Sequence, residues 1–413
     1  MLQRSRCGKK RAARRFIRAL LSSACLNSRL ILCLAWLALL AKLTCAALTR
    51  GTNDVDAFYN FGRFIWENGL LAQYRAAPEF NHTPLTGWFC ALAYGLGKGI
   101  GFPLVLRLPG ILADFAVIKL LLHWRKSLQG PPAWALALLT VSPVSFMVSG
   151  FHGNVDPVIP LLLVLAVWRS VRGDPWQSGL WLGLACNIKV VPLLLAPLLF
   201  FHWWARGKPL QFFLPAGLAI FVGWGFPLLL ERDVFLRNVL GYSSNWGSWG
   251  VTYALAKLPW PELAPVGFSG LSQLQQNIMT ALKLVIVGAT LAVAWRRRML
   301  PSETLFSSCA LIWTIFFVFA PGVGAQYLVW FAPFLLLHSA PWFAVVTAAS
   351  SLFVFAFYHV ISGGFPWNHG HSTAELVPHW APWSIVPWLA LLTLLAGSVW
   401  TRETARAGST LKT

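Results

Sequence analysis

Apolar stretches long enough to cross a hydrocarbon layer recur from one end of this chain to the other, and nothing else constrains its fold as much. Residues 29–49, 133–149, 211–230 and 305–320 are clear cases. A backbone surrounded by lipid must satisfy its own hydrogen bonds, so such stretches fold as helices. Composition agrees: 57% of the residues are hydrophobic and 11% charged, whereas a soluble domain carries about 25% charge. The 23 Trp and 26 Pro suit helices with interfacial aromatic belts and frequent kinks. The expectation is an all-α polytopic membrane protein. One membrane domain covers residues 29–402, between a basic tail (1–28) and a short second tail (403–413).

The net charge of +20 invites comparison with nucleic-acid binders, which gather basic residues on one folded face. Here Lys and Arg fall in short clusters between apolar segments, as expected of cytoplasmic loops, so the partner is the bilayer and not nucleic acid. The seven Cys are odd in number, scattered and mostly inside apolar segments, and they read as small hydrophobes. Residues 1–18 hold eight Lys/Arg and no acid, like the start of a signal peptide. The apolar run beginning near Leu30 continues for about twenty residues, however, which is too long for a signal core. An uncleaved first helix with a cytoplasmic tail is expected.

Orientation from the basic clusters gives about twelve helices with both termini cytoplasmic. Residues 178–201 are long, contain Lys189 and Pro192, and end at Arg206 and Lys208. They are expected to form an outward and an inward pass meeting at 187–192. Two large external loops follow from the same path, residues 49–103 and 231–276. In the first, apolar and aromatic residues at Phe58, Phe61, Ile65, Leu70 and Leu71 predict an amphipathic helix near 55–68. Residues 85–101 are apolar but interrupted by Gly, and counting them as a span would invert every later loop. They are expected to lie at the interface instead.

Charged groups within or beside a span are costly, so each needs a reason. Asp54, Asp56, Asp156, Lys189, Gln326 and Tyr327 are separated in sequence, yet the path brings all six to the outer face. Each has a structural alternative. Asp54 and Asp156 are placed as helix N-caps, the latter with Pro157 at the first helical position. Lys189 is able to snorkel to the interface. Asp114, in mid-span, is expected to make an internal hydrogen bond. His359, His369, His371 and His379 lack the tight spacing of a zinc site.

Five short motifs in fixed order carry a resemblance: Asn53-Asp54-Val55-Asp56, Asn81-His82-Thr83-Pro84-Leu85-Thr86-Gly87-Trp88, Gly153-Asn154-Val155-Asp156, Asn187-Ile188-Lys189-Val190-Val191-Pro192 and Gln326-Tyr327-Leu328-Val329-Trp330. With them the chain resembles the GT-C superfamily of membrane glycosyltransferases, above all glycosyltransferase family 87 and the catalytic subunits of GPI mannosyltransferases. The resemblance implies a GT-C-like fold with external juxtamembrane helices. It implies a sugar, often mannose, taken from a polyprenyl-phosphate donor on the non-cytoplasmic face and passed to a lipid or glycan acceptor. The membrane would be the inner membrane of a bacterium or the endoplasmic reticulum of a eukaryote.

The same resemblance places an essential acid in the first external loop, about nine residues before an Arg such as Arg63, which favours Asp54 over Asp56. Transfer with inversion needs a carboxylate to deprotonate the acceptor hydroxyl. It also needs positive charge where the phosphate departs, for which Lys189, Arg63 and Arg107 are candidates. His82, Asn154, Asp156, Gln326 and Tyr327 are the expected substrate-binding residues. Asp54 and Asp56 are spaced to hold a divalent metal, but a monophosphate leaving group requires one less than a diphosphate does, and no metal or other cofactor is expected. Ala57 stands where the GPI enzymes tend to have Tyr, and loops 231–276 and 362–382 match nothing in the family pattern. A secondary transporter is the rival class, predicting two similar halves with matching broken helices. No internal repeat is visible. A lipid flippase or assembly subunit would leave the acids dispensable.

Overall fold

The computed structural model describes residues 28–98, 101–127, 130–242, 245–264 and 270–410. The basic tail therefore lies, apart from Ser28, outside the described residues. The chain is an all-α polytopic membrane protein. By length and composition, seven helices among the described residues are able to cross a membrane: Ser28–Leu48, Ala133–His152, Pro209–Leu230, Gln273–Arg297, Ser302–Phe319, Ala340–Ile361 and Ala374–Ser398. Val158–Val171, Val191–Trp204 and Ala325–His338 are shorter apolar helices. Phe102–Ser127 carries Arg107, Asp114 and Lys119, and Pro175–Cys186 completes the set. Each of the twelve passes read from the sequence coincides with one of these segments.

The broken passage at 187–192 is a hairpin. A Cβ on Gly179 would overlap the Phe212 carbonyl, one on Gly183 that of Ala216, and one on Gly223 the Asn187 side chain. Small residues thus let Pro175–Cys186 lie against Pro209–Leu230 in the same direction, and the Val191–Trp204 segment between them must run back. Pro192 lacks an amide proton, so the turn leaves carbonyls without helical donors. The Thr83 hydroxyl donates to the Asn187 carbonyl, and Thr86 Oγ1 donates to Ile188 O at 3.0 Å. The motif from Asn81 to Trp88 is therefore a clasp on the break.

Within the segment 85–101 the described residues form a helix, Pro84–Gly97, of 14 residues. At about 1.5 Å per residue it falls short of the hydrocarbon core. It packs on the amphipathic helix Asn53–Asn68, where a Cβ on Gly62 would strike Cys90 O at 2.3 Å. The next short helix, Leu70–Ala76, turns back under them, and Tyr74 Oη donates to His82 O at 2.7 Å. Residues Gly51–Thr52 pair in parallel with His369–Gly370, tying this platform to the loop after Ala340–Ile361.

Inside the bundle, Asp114 does more than make a hydrogen bond. Lys42, on the first helix, meets its Oδ2 at 2.7 Å, and Ser145 Oγ bonds both partners at 2.7 and 2.8 Å. Lys42 is buried at 3% exposure, so its charge is neutralised within the protein and does not face lipid.

Candidate active site

The three short helices decide where a polar site is able to form. A 14-residue helix spans about 21 Å of a core about 30 Å thick, so one of its ends stays within the core. Val158–Val171, Val191–Trp204 and Ala325–His338 all begin in one region, as their side chains show. Lys189 Nζ meets both Asp156 oxygens at 2.9 and 3.0 Å, Trp330 Nε1 donates to Asp156 Oδ1 at 2.9 Å, and the Lys189 ammonium lies 4.5 Å from the Tyr327 ring centroid. Asp156 is fully buried, so this pairing is what makes its charge tolerable.

Asp54 comes from the helix Asn53–Asn68. Thr52, not Asp54, caps Asn53–Asn68, its hydroxyl accepting from Asp54 N at 3.3 Å. The same hydroxyl donates to His152 O at 2.7 Å, anchoring the helix start to the end of Ala133–His152. That end winds as a π-turn over Met147–His152 and leaves through Gly153 at φ +89°. A Cβ at Gly153 would lie 2.1 Å from Val55 Cγ2, so only glycine allows the approach. The consequence is a convergence on one oxygen. Asp54 Oδ2 accepts from Asn154 Nδ2 at 3.1 Å and lies 3.0 Å from His152 Nε2, while His152 Nδ1 lies 2.9 Å from Tyr358 Oη.

Burial raises the Asp54 carboxyl. The His152 ring, the Asn154 amide and the Lys189 ammonium together outweigh it and hold the group at about 2, so Asp54 is a carboxylate at neutral pH. His82 sits beside it, packed 4.8 Å from the Phe58 ring. Burial lowers its imidazole, the Lys189 charge adds to this against an opposing effect of Asp54, and the group comes to about 3. His82 is therefore neutral. Its Nδ1 is buried without a partner, as is Asn154 Oδ1.

Asp54 and His152 border a cavity of about 200 Å³ whose other walls include Tyr242, Gln326, Tyr327 and Trp380. Tyr242 and Tyr327 share the lining of this cavity. Loops 231–276 and 362–382, which the family pattern left unplaced, thus both contribute walls. A carboxylate with one oxygen fixed by two donors presents the other to whatever enters, within the electrostatic reach of Lys189.

Most of the expected site residues gather here: Asp54, His82, Asn154, Asp156, Lys189, Gln326 and Tyr327. Three do not. Arg63 is exposed, and nine helical residues after Asp54 it points to the opposite side of the same helix. Arg107 is fully buried, and its guanidinium donates to the carbonyls of Ala46, Thr49 and Arg50 at 3.2, 3.2 and 2.7 Å. It closes the end of the first helix. Asp56 turns away from Asp54 and pairs with Arg50 at 2.8 Å and His369 Nε2 at 3.0 Å. The two carboxylates thus do not converge on one ion, and among the described residues no three His, Cys, Asp or Glu side chains group as a metal site.

The structural alternatives for single residues also resolve. Asp156 spends its carboxylate on Lys189 and Trp330, and Lys189, mostly covered, is held in that pair instead of reaching for the interface. His152, Tyr358 and Trp330 were not singled out from the sequence. His152 directly precedes the Gly153-Asn154 motif, and Trp330 ends the last motif, so both lay within reach of those patterns. Nothing local marks Tyr358, one aromatic residue in an apolar span.

An alpha-(1->3)-arabinofuranosyltransferase of Corynebacterium glutamicum is 31% identical over 103 residues, which is 24% of this chain and 24% of that protein. The match therefore spans about a quarter of the relative's length. The sequence profile of glycosyltransferase family 87 matches residues 80–321, more than half of the chain, and the chain belongs to that family.

Proposed function

We propose that this membrane glycosyltransferase moves a sugar, mannose by family resemblance, from a polyprenyl-phosphate donor to a hydroxyl of a lipid or glycan acceptor. The reaction takes place on the non-cytoplasmic face, with both termini cytoplasmic. Asp54 takes the acceptor proton as the acceptor oxygen attacks C1 from the face opposite the phosphate. The C1–O bond breaks, polyprenyl phosphate leaves with the bonding pair, and Lys189 offsets its charge. The configuration at C1 inverts.

The observation that carries this reading is the Asp54 carboxylate bordering a cavity at the start of Ala325–His338, with Lys189, packed on Tyr327 of that wall, acting on it electrostatically. A donor held in the bilayer suits a site set at the end of such a short helix. Arg63 and Arg107 are not proposed as phosphate ligands, since one points away and the other is engaged by backbone carbonyls. The match to an arabinofuranosyltransferase favours a second reading in which the sugar is a pentofuranose.

The test uses membranes expressing the chain, radiolabelled polyprenyl-phosphate mannose or arabinofuranose, and lipid and glycan extracts as acceptors. Label moving from the mannose donor is expected. Label moving only from the arabinofuranose donor would overturn mannose alone. If no polyprenyl-phosphate sugar serves with any extract, a lipid-linked donor is ruled out.

A further inference from the structure

The hydrogen-bond chain Asp54–His152–Tyr358 joins three elements and fixes a proton. Tyr358 is fully buried, and among the described residues its Oη bonds only His152 Nδ1. A phenol titrates near pH 10, so its proton is present at neutral pH. If Nδ1 carried a proton, the phenol would have to accept it and would leave its own O–H buried without an acceptor, which is unfavourable. The arrangement that satisfies every group has Tyr358 donating to Nδ1. Nδ1 then carries no proton, and the ring is the neutral tautomer donating through Nε2 to Asp54.

The charge on His152 matters for the base beside it. A protonated ring would form an ion pair with Asp54 and weaken its hold on a further proton, whereas a neutral ring offers only a dipole. The other groups around this chain are Arg107 from Phe102–Ser127, Lys42 packed against Gly150, and the Asp156 and Lys189 pair. Lys42 is paired with Asp114, and Lys189 with Asp156. Arg107 has no acid partner among the described residues and is held by backbone carbonyls.

We propose that Tyr358 is a positioning residue that keeps His152 neutral and its Nε2 proton on Asp54, so that Asp54 remains a competent base for the transfer. This rests on the role given to Asp54 under the proposed function. Tyr358 touches neither substrate nor reacting atoms and acts through His152.

The experiment compares pH profiles of kcat and the donor KM for wild type, Tyr358→Phe and His152→Gln. Removing the phenol frees Nδ1, which raises the affinity of His152 for a proton. The acid limb of kcat in Tyr358→Phe is therefore expected to move up by about one pH unit, with the donor KM unmoved. His152→Gln keeps a donor toward Asp54 but cannot titrate, so that limb should vanish. A uniform loss of kcat in Tyr358→Phe with the limb in place would overturn the proposal. A second readout needs no turnover: nitrogen-15 NMR of histidine-labelled protein in lipid nanodiscs, with the His152 signals assigned through His152→Gln. An unprotonated Nδ1 in wild type at neutral pH is expected, and a protonated Nδ1 would overturn the proposal whatever the activity. Absence of any sugar transfer by wild type would count against the functional reading, while the NMR result would still decide the tautomer.

Discussion

Asp54 Oδ2 and His152 Nε2 lie 3.0 Å apart although 98 residues separate them in the chain. Asn154 reaches the same oxygen at 3.1 Å. Two donors on one oxygen fix the carboxylate's rotation and leave Oδ1 for the cavity. Asn154→Ala removes one of them and is expected to lower kcat by roughly 10-fold, with a smaller effect on the donor KM. Steady-state transfer assays on purified protein would check this.

The Lys189–Asp156 pair has a different weakness. Asp156 is fully buried and Lys189 nearly so. Removing one partner strands the other charge, so Lys189→Met or Asp156→Asn is expected to destabilise the fold by roughly 3–5 kcal/mol. The double variant should recover part of that loss. Thermal unfolding in detergent measures all three, and additive losses would show that the pair is not coupled.

The Lys42–Asp114 pair predicts the same pattern farther from the chemistry. Lys42→Met should lower the unfolding temperature, and adding Asp114→Asn should restore part of it. Neither residue borders the Asp54 cavity. Variants that remain folded should keep their donor KM, which a titration of polyprenyl-phosphate sugar would reveal.

His82 gives a pH dependence with a definite sign. Its folded value of about 3 lies below the ordinary histidine value of 6.5. Between those limits the unfolded chain binds a proton that the folded chain does not, so stability falls as pH drops from about 6.5 toward about 3. Asp54 adds an acid-side loss only below the ordinary carboxylate range, as pH falls from about 4 to about 2. His82→Gln should therefore flatten unfolding temperature against pH between about 6.5 and 4. An unchanged slope would mean that other groups set it.

The spans were legible because lipid forces apolar runs to be helical, and the breaks were legible because polar residues and Pro192 interrupt those runs. The hairpin at 187–192 and the helix Asn53–Asn68 follow from the same signals. Pairing was not legible. Lys42 and Asp114 are 72 residues apart, and a single Lys in an apolar run does not name its partner. Arg107 reads from sequence as a phosphate ligand because an arginine near a polar face suits that role. In the fold its two terminal nitrogens donate to carbonyls at the end of the first helix, where the backbone has no helical donors left, and its Nε has no partner. Asp54 and Asp56 look like one acidic pair, yet two residues along a helix turn them to nearly opposite sides, one to His152 and the other to Arg50 and His369.

The most direct test of Asp54 as the base is the turnover of Asp54→Asn. This variant keeps the shape and hydrogen-bonding reach of the side chain but cannot take a proton. With polyprenyl-phosphate sugar as donor, kcat is predicted to fall by roughly 100-fold or more, while the donor still binds with similar affinity. A variant that turns over within a few-fold of wild type would contradict the account.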